Sequence, residues 1–175
     1  MARFLPLRHP RPGTGAVGTR QEGARWLSFL GQYEHTLDQK NRLTIPAKFR
    51  AQLSEGVVLA KEQETCIAIR PASAWSSFTE DMRRLGTLWD QDYRDFQRRY
   101  TAGAFDAQLD AAGRIMLPQA LIDKAGLSRE VVLVGNLDTI EVWDRARWRE
   151  EETRLDQAAQ DLARRLSERA GDTSS

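Results

Sequence analysis

The sequence predicts an α+β fold, mainly β, built from one unit that occurs twice. The first observation behind this prediction is a ten-residue motif that returns 72 positions further along the chain. The second is the alternation of apolar and polar residues around each copy, which is typical of short strands. The third is a pair of apolar stripes at three- and four-residue spacing, which predict amphipathic helices between the copies. A repeated unit decides the architecture of the whole chain.

The repeated motif reads apolar, Asp, three residues, Arg, apolar, any residue, apolar, Pro. Its copies occupy residues 37–46 and 109–118, and the register extends upstream, where Tyr33 corresponds to Phe105. One unit of roughly 45 residues is marginal as an independent fold. We therefore predict two small units packed together with pseudo-twofold symmetry.

Each unit is predicted to contain four short strands and one short helix. Pro46 ends the second strand, because proline cannot donate a ladder hydrogen bond, and Gly56 closes the helix that follows. The first unit has predicted strands over 33–37 and 43–45, a turn over 38–41, a helix over 47–53, and strands over 57–60 and 65–69. The second has predicted strands over 105–109 and 115–117, a helix over 118–125 ended by Gly126, and strands over 131–134 and 139–143.

Two amphipathic helices are predicted between the units, with Ser73 and Thr87 as their N-caps. Their apolar stripes consist of Trp75, Phe78, Met82 and Leu85, and of Trp89, Tyr93, Phe96 and Tyr100. We interpret these aromatic stripes as core or subunit packing and not as a ligand site.

The chain divides into five segments by composition and pattern. Segment 1–28 is a basic, Pro/Gly-rich arm with five arginines against one acid, Glu22, and its lack of apolar periodicity predicts disorder. Segments 30–75 and 103–147 are the two repeats, segment 76–102 holds the connecting helices, and segment 148–175 is a charged C-terminal helix and tail.

Composition narrows the possible classes of protein. The net charge of +1 neither favours nor excludes an anionic partner. Only the local placement of charge can indicate one. Cys66 is the single cysteine and cannot form an internal disulfide, which fits a reducing cytoplasm. No apolar run approaches the roughly 18 residues of a membrane span, and the first residues lack the apolar core of a signal peptide. We expect a cytoplasmic protein with no membrane partner.

We predict no metal, no cofactor and no enzymatic activity. His9 and His35 are the only histidines, and neither has a neighbour at metal-ligand spacing. Asp38 and Asp110, one in each repeat, are placed like the paired carboxylates of aspartic proteases. The sequences that they begin, Asp-Gln-Lys and Asp-Ala-Ala, do not match the Asp-Thr/Ser-Gly of those enzymes.

The Asp and Arg of each motif lie on either side of a turn. We predict that Asp38 and Asp110 stabilise their turns by accepting hydrogen bonds from backbone N–H groups. Arg42 and Arg114 carry planar guanidinium groups, which match phosphate oxygens or the O6 and N7 edge of guanine.

The first turn is the more basic in sequence. Residues 38–50 hold four cations and one acid, whereas residues 110–124 hold two cations and two acids and have no net charge. If both turns face a nucleic acid, we expect the first to supply most of the affinity. Lys40 and Lys48 are predicted to contact phosphates and set the register, while Arg42 reads a guanine edge.

Three segments together closely resemble the MraZ family of bacterial transcriptional regulators. They are residues 31–50, 109–115 and 141–148, which read GQYEHTLDQKNRLTIPAKFR, LDAAGRI and EVWDRARW. The resemblance implies two tandem SpoVT-AbrB-type domains that interlock as a swapped-hairpin, double-psi-like β-barrel. It also implies that the chains assemble into a ring-shaped homo-oligomer.

The resemblance further implies a nucleoid-associated regulator that binds short direct repeats in double-stranded promoter DNA. The implied target is the division and cell-wall gene cluster, including the gene of the regulator itself. The DNA contacts of the family correspond to Lys40, Arg42 and Arg114. Asn41 stands where the family usually has glycine, and we expect the turn to persist because asparagine tolerates a left-handed conformation. Ala112 replaces a longer polar residue, which weakens the second turn as a DNA contact.

An antitoxin-like protein-interaction module is the alternative. AbrB-like folds also serve as antitoxins whose tails wrap a toxin, and the segment after Trp148 is a candidate for such a tail. Its composition is helical, however, and antitoxin chains usually carry one such domain. Both features favour the DNA-binding interpretation.

Overall fold

The computed structural model describes residues 28–62, 64–87 and 89–171; within the last helix, it describes side chains through residue 159 and at 161, 164 and 165. The strands are β1 (Phe29–Thr36), β2 (Arg42–Thr44), β3 (Val57–Lys61), β4 (Cys66–Pro71), β5 (Phe105–Ala107), β6 (Arg114–Met116), β7 (Glu130–Leu137) and β8 (Thr139–Asp144). The helices are α1 (Ala47–Arg50), which a 3₁₀ turn (Ala51–Leu53) continues, α2 (Ala72–Arg83), α3 (Gln91–Thr101), α4 (Gln119–Ala125) and α5 (Arg145–Gly171).

The eight predicted strands and the short helix of each repeat are all present, in a mixed α+β fold dominated by antiparallel strands. Six strands form one sheet in the order β1-β7-β8-β4-β3-β5, and β2 pairs with β6 in a separate two-stranded ladder. Only the hairpins β3–β4 and β7–β8 lie within a repeat. Every other pairing joins the two repeats, so β1 and β5 each pair with the third strand of the opposite repeat.

This exchange of strands gives the two repeats a single core. Leu43 and Ile45 from the first repeat and Ile115 and Leu117 from the second are buried in one apolar cluster. The two predicted repeats are present, but they share this core and do not each have a small core of their own. Since neither repeat pairs its first strand with its own third strand, neither encloses a core by itself.

The connecting helices pack through their aromatic stripes, as predicted. The Phe78 ring of α2 lies 5.4 Å from the Tyr100 ring of α3. Both predicted N-caps are wrong, because α2 begins directly after a proline and the Asp90 side chain caps α3 by accepting the N–H of Asp92 at 2.9 Å. Trp89 precedes that cap and is 93% exposed, so it is not part of the buried stripe.

Helix α5 begins three residues earlier than predicted and is held to the sheet at its first turns. The indole Nε1 of Trp148 donates a hydrogen bond to Gln32 of β1 at 2.6 Å. The predictions for the arm, apart from Ser28, and for residues 172–175 lie outside the described residues. Across the described part of the chain, no helix has the length and apolar character needed to cross a membrane.

Candidate nucleic-acid interface

The first turn, between β1 and β2, is organised around the carboxylate of Asp38. Its Oδ1 accepts the backbone N–H groups of Lys40 at 2.8 Å and Arg42 at 2.9 Å. Its Oδ2 accepts the side-chain Nε–H of Arg42 at 2.6 Å. These hydrogen bonds, led by the one from the Arg42 backbone, lower the pKa of Asp38 to about 2. The carboxylate thus holds the loop and the guanidinium in one arrangement.

The second turn, between β5 and β6, repeats this arrangement. Asp110 accepts the backbone N–H groups of Ala112 at 2.9 Å and Arg114 at 3.0 Å, and the Arg114 Nε–H at 2.8 Å. The pKa of Asp110 is also lowered, chiefly by the side-chain hydrogen bond from Arg114. The chain therefore presents two copies of one Asp-Arg turn.

Each turn contains one residue in the left-handed conformation. In the first turn it is Asn41, at φ 56°, and in the second it is Gly113, at φ 75°. The expectation that the turn tolerates asparagine is confirmed, and the Asn41 amide donates to Gln119 of the opposite repeat at 2.8 Å. At residue 113 a Cβ would overlap the side chain of Arg50, so that position requires glycine.

The β2–β6 ladder places both arginines on one surface. Residues that face each other across antiparallel strands project to the same side, and the central pair, Leu43 and Ile115, points into the core. The pairs on either side of it must point outward. We call this outward row the ladder face, and it consists of Arg42, Thr44, Arg114 and Met116.

Arg42 and Arg114 lie diagonally on the ladder face, which corresponds to about 7–8 Å between the two positions and somewhat less between their Cβ atoms. Their side chains are 33% and 32% exposed. Asp38 contacts only the Nε of Arg42, so the two terminal nitrogens of that guanidinium have no acceptor among the described residues. Lys40 is exposed in the same turn as Arg42. The structure thus brings together three of the four predicted contacts.

Lys48 is not on the ladder face. Its ammonium donates a hydrogen bond to the backbone carbonyl of Leu30 at 3.2 Å and lies 4.7 Å from the centre of the Tyr33 ring. A carbonyl and an aromatic face both favour a cation, so these contacts already partner its charge. The structure separates this predicted phosphate contact from the other three.

Arg50, the fourth cation of segment 38–50, lies against the second turn. Its Nε donates to the carbonyl of Ile45 at 2.9 Å, and its side chain covers Gly113. The four cations of segment 38–50 are therefore not all at the first turn. Exchange of strands moves one cation to the opposite turn, and Lys48 is held elsewhere.

Sequence reasoning missed Thr44 and Met116. They occupy the "any residue" position of the repeated motif, two residues after each Arg. The period-two alternation of a strand places that position on the same face as the Arg, so the signal was available. Among the described residues, no group of three or more histidine, cysteine or acidic side chains is arranged to hold a metal ion.

Comparison with known proteins gives consistent results. The family model described as "MraZ protein, putative antitoxin-like" matches residues 28–99 and 101–169. The "Transcriptional regulator MraZ" of Nocardioides sp. is 43% identical over 71% of this chain and 85% of its own length. The protein of the same name from Moorella thermoacetica is 40% identical over 70% and 85%. That of Clostridium acetobutylicum is 36% identical over 80% and 97%. The chain belongs to the MraZ family.

Proposed function

We propose that this chain is a non-enzymatic transcriptional regulator that binds promoter DNA in a sequence-specific manner. The observation that carries the proposal is the ladder face, on which two arginines held by carboxylates project from a two-stranded ribbon. The major groove of B-DNA admits such a ribbon. The names of the relatives, all "Transcriptional regulator MraZ", support the same function.

The four predicted contacts take different roles in this proposal. Arg42 reads a guanine edge with its terminal nitrogens, because Asp38 fixes its guanidinium group through Nε. Arg114 reads a guanine edge with its remaining terminal nitrogen, since its Nη2 lies 2.8 Å from Asp110 Oδ2. Lys40 binds a phosphate and sets the register. Lys48 is the weakest contact of the set, since its ammonium has to leave the Leu30 carbonyl before it can reach a phosphate.

The proposed assembly supplies the affinity that one small face lacks. We propose that the two repeats act as SpoVT-AbrB-type domains within the bounds 30–75 and 103–147, interlocked as a swapped-hairpin barrel, and that chains assemble into a ring. A ring that meets direct repeats in DNA binds the later repeats intramolecularly, which multiplies weak contacts. The proposed target is the promoter of the division and cell-wall gene cluster, its own gene included, in the cytoplasm at the nucleoid.

A salt-titrated binding assay tests the proposal. Wild type and Arg42→Ala would be compared on DNA from upstream of the gene that encodes this chain and on a scrambled duplex. We expect tight, selective binding that depends on Arg42. Equal, weak binding to both duplexes would overturn the proposal.

The second candidate is an antitoxin-like module, which the description of the family favours. Helix α5 is the segment that would hold a toxin, because it extends well beyond its contacts with the sheet at Gln32. A pull-down with and without residues 150–175 tests this candidate. Loss of a stoichiometric protein partner on truncation would support it, and absence of such a partner would exclude it.

A further inference from the structure

Met116 is an exposed apolar residue in the middle of a charged surface. We propose that Met116 contacts the methyl group of a thymine adjacent to the guanine that Arg42 reads, and so gives the ladder face a direction along DNA. The inference rests on the proposed function. It assigns a specificity role to the position of the repeated motif at which any residue occurs.

The position of Met116 follows from the register of the ladder. Its Cα pairs directly with that of Arg42, so the two side chains project side by side from neighbouring strands. Its neighbours Ile115 and Leu117 are buried, whereas Met116 is 65% exposed. The core therefore does not account for a methionine at this position. An unbranched, polarisable side chain of this kind adapts readily to the surface that it meets.

The spacing of the pair fits that of stacked bases. Adjacent strands lie about 4.8 Å apart, while successive bases along one DNA strand are about 3.4 Å apart. The difference of about 1.4 Å is within the reach of a flexible methionine. If Arg42 binds a guanine and the two strands of the ladder lie side by side along the DNA axis, Met116 lies over the next base pair. Thymine is the base that presents an apolar group in the major groove, namely its C5 methyl.

The other half of the ladder face differs at this position. Thr44 occupies the place equivalent to Met116 and pairs with Arg114. Its side chain is shorter and carries a hydroxyl beside its methyl group, so it reaches less far and favours a thymine methyl less strongly than Met116 does. Two identical halves related by a twofold axis would read a palindrome. The exchange of Thr for Met makes the halves unequal, which suits a repeat that has one direction.

The experiment starts with the full-length chain and a random-sequence DNA library. Sites selected by the wild type would be synthesised with each thymine replaced in turn by deoxyuridine, which removes only the methyl group. We expect deoxyuridine next to the guanine read by Arg42 to weaken binding about fourfold per engaged loop, the value of one buried methyl group. Met116→Thr should weaken this discrimination, because the threonine methyl reaches less far from the strand, and Met116→Leu should retain it.

Further variants separate the possible outcomes. Thr44→Met is expected to add thymine discrimination next to the guanine read by Arg114, and no gain would overturn the assignment of each position to the arginine opposite. Met116→Thr should keep the wild-type melting temperature, since the side chain is exposed. If deoxyuridine changes nothing while Arg42→Ala still abolishes selective binding, the Met116 proposal fails and the proposed function stands. If no site is selected at all, both fail.

Discussion

The two Asp-Arg turns share their internal hydrogen bonds and differ in what surrounds them. Asp38 and Asp110 accept equivalent sets of N–H groups within each turn. Each turn also receives one hydrogen bond from the opposite repeat, since the N–H of Leu117 donates to Asn41 and that of Ile45 to Gly113. The repeated motif thus determines the geometry of both turns.

Their surroundings come from the opposite repeat. The first turn meets the neutral side chain of Gln119, whereas the second meets the charged side chain of Arg50. The comparison shows that, where strands are exchanged, the residues next to a turn in sequence are not those next to it in space. The charge counted along the chain therefore differs from the charge that surrounds each turn in space.

The largest expected effect is the loss of DNA binding when the arginine of either turn is removed. Arg42→Ala and Arg114→Ala should each cost about 1–3 kcal/mol of DNA-binding free energy per engaged loop, because both lie on the same face. Several loops engaged by a ring would multiply the loss. Binding isotherms on a selected site measure both, and Lys124→Gln, an exposed cation on α4, controls for charge alone. A loss confined to Arg42 would mean that only the first turn meets DNA.

A second prediction concerns the left-handed residues. Gly113→Ala should destabilise the fold by at least about 1–2 kcal/mol, the cost of the left-handed conformation, and overlap with Arg50 adds to it. Asn41→Gly should change the stability by less than about 1 kcal/mol, because a lost hydrogen bond to Gln119 is offset by relief of backbone strain. Denaturant unfolding measures both changes. A loss of no more than about 1–2 kcal/mol for Gly113→Ala would show that overlap with Arg50 adds no constraint on the second turn.

Local elements were predictable from the sequence, and long-range pairing was not. Alternation located every strand because it reports which face is buried, and Gly126 ends α4 in the left-handed conformation, at φ 62°. Alternation does not indicate which strand pairs with which. The pairing of β1 with β7 is therefore seen only in the structure. The same limit hid the contact between Arg50 and Gly113.

The sequence could not distinguish two residues that offered similar chemistry. Thr87 and Asp90 are both good N-caps, and only the position of the helix decides for Asp90. Lys40 and Lys48 are both cations near Arg42 in sequence, yet one is exposed in the turn and the other is held by Leu30 and Tyr33. The sequence predicted that Asp38 and Asp110 accept backbone N–H groups in their turns, because the donors lie within four residues along the chain.

A third prediction separates the two lysines by salt dependence. Lys40→Gln should weaken binding to all sequences alike and lower the slope of log affinity against log salt by about 1 per engaged loop. Lys48→Gln should lower the slope less, and it should reduce folding stability by about 0.5–1 kcal/mol through loss of its cation–π contacts. Affinity measured at several salt concentrations, with melting curves, distinguishes the two roles. Equal slope changes would place Lys48 at the DNA as fully as Lys40.

The smallest expected effect is the pH dependence of the turns. The folded-state pKa of Asp38, about 2, lies below the roughly 3.9 of an unfolded aspartate. A carboxyl with a depressed pKa stabilises the fold fully above the unfolded value, and this stabilisation is lost as pH falls through the folded value. The stability difference between wild type and Asp38→Asn should thus shrink between about pH 4 and pH 2. Unfolding measured across this range tests it, and Asp110→Asn should behave in the same direction because its pKa is also lowered. A difference that stays constant down to pH 2 would show that the Asp38 charge does not hold the turn.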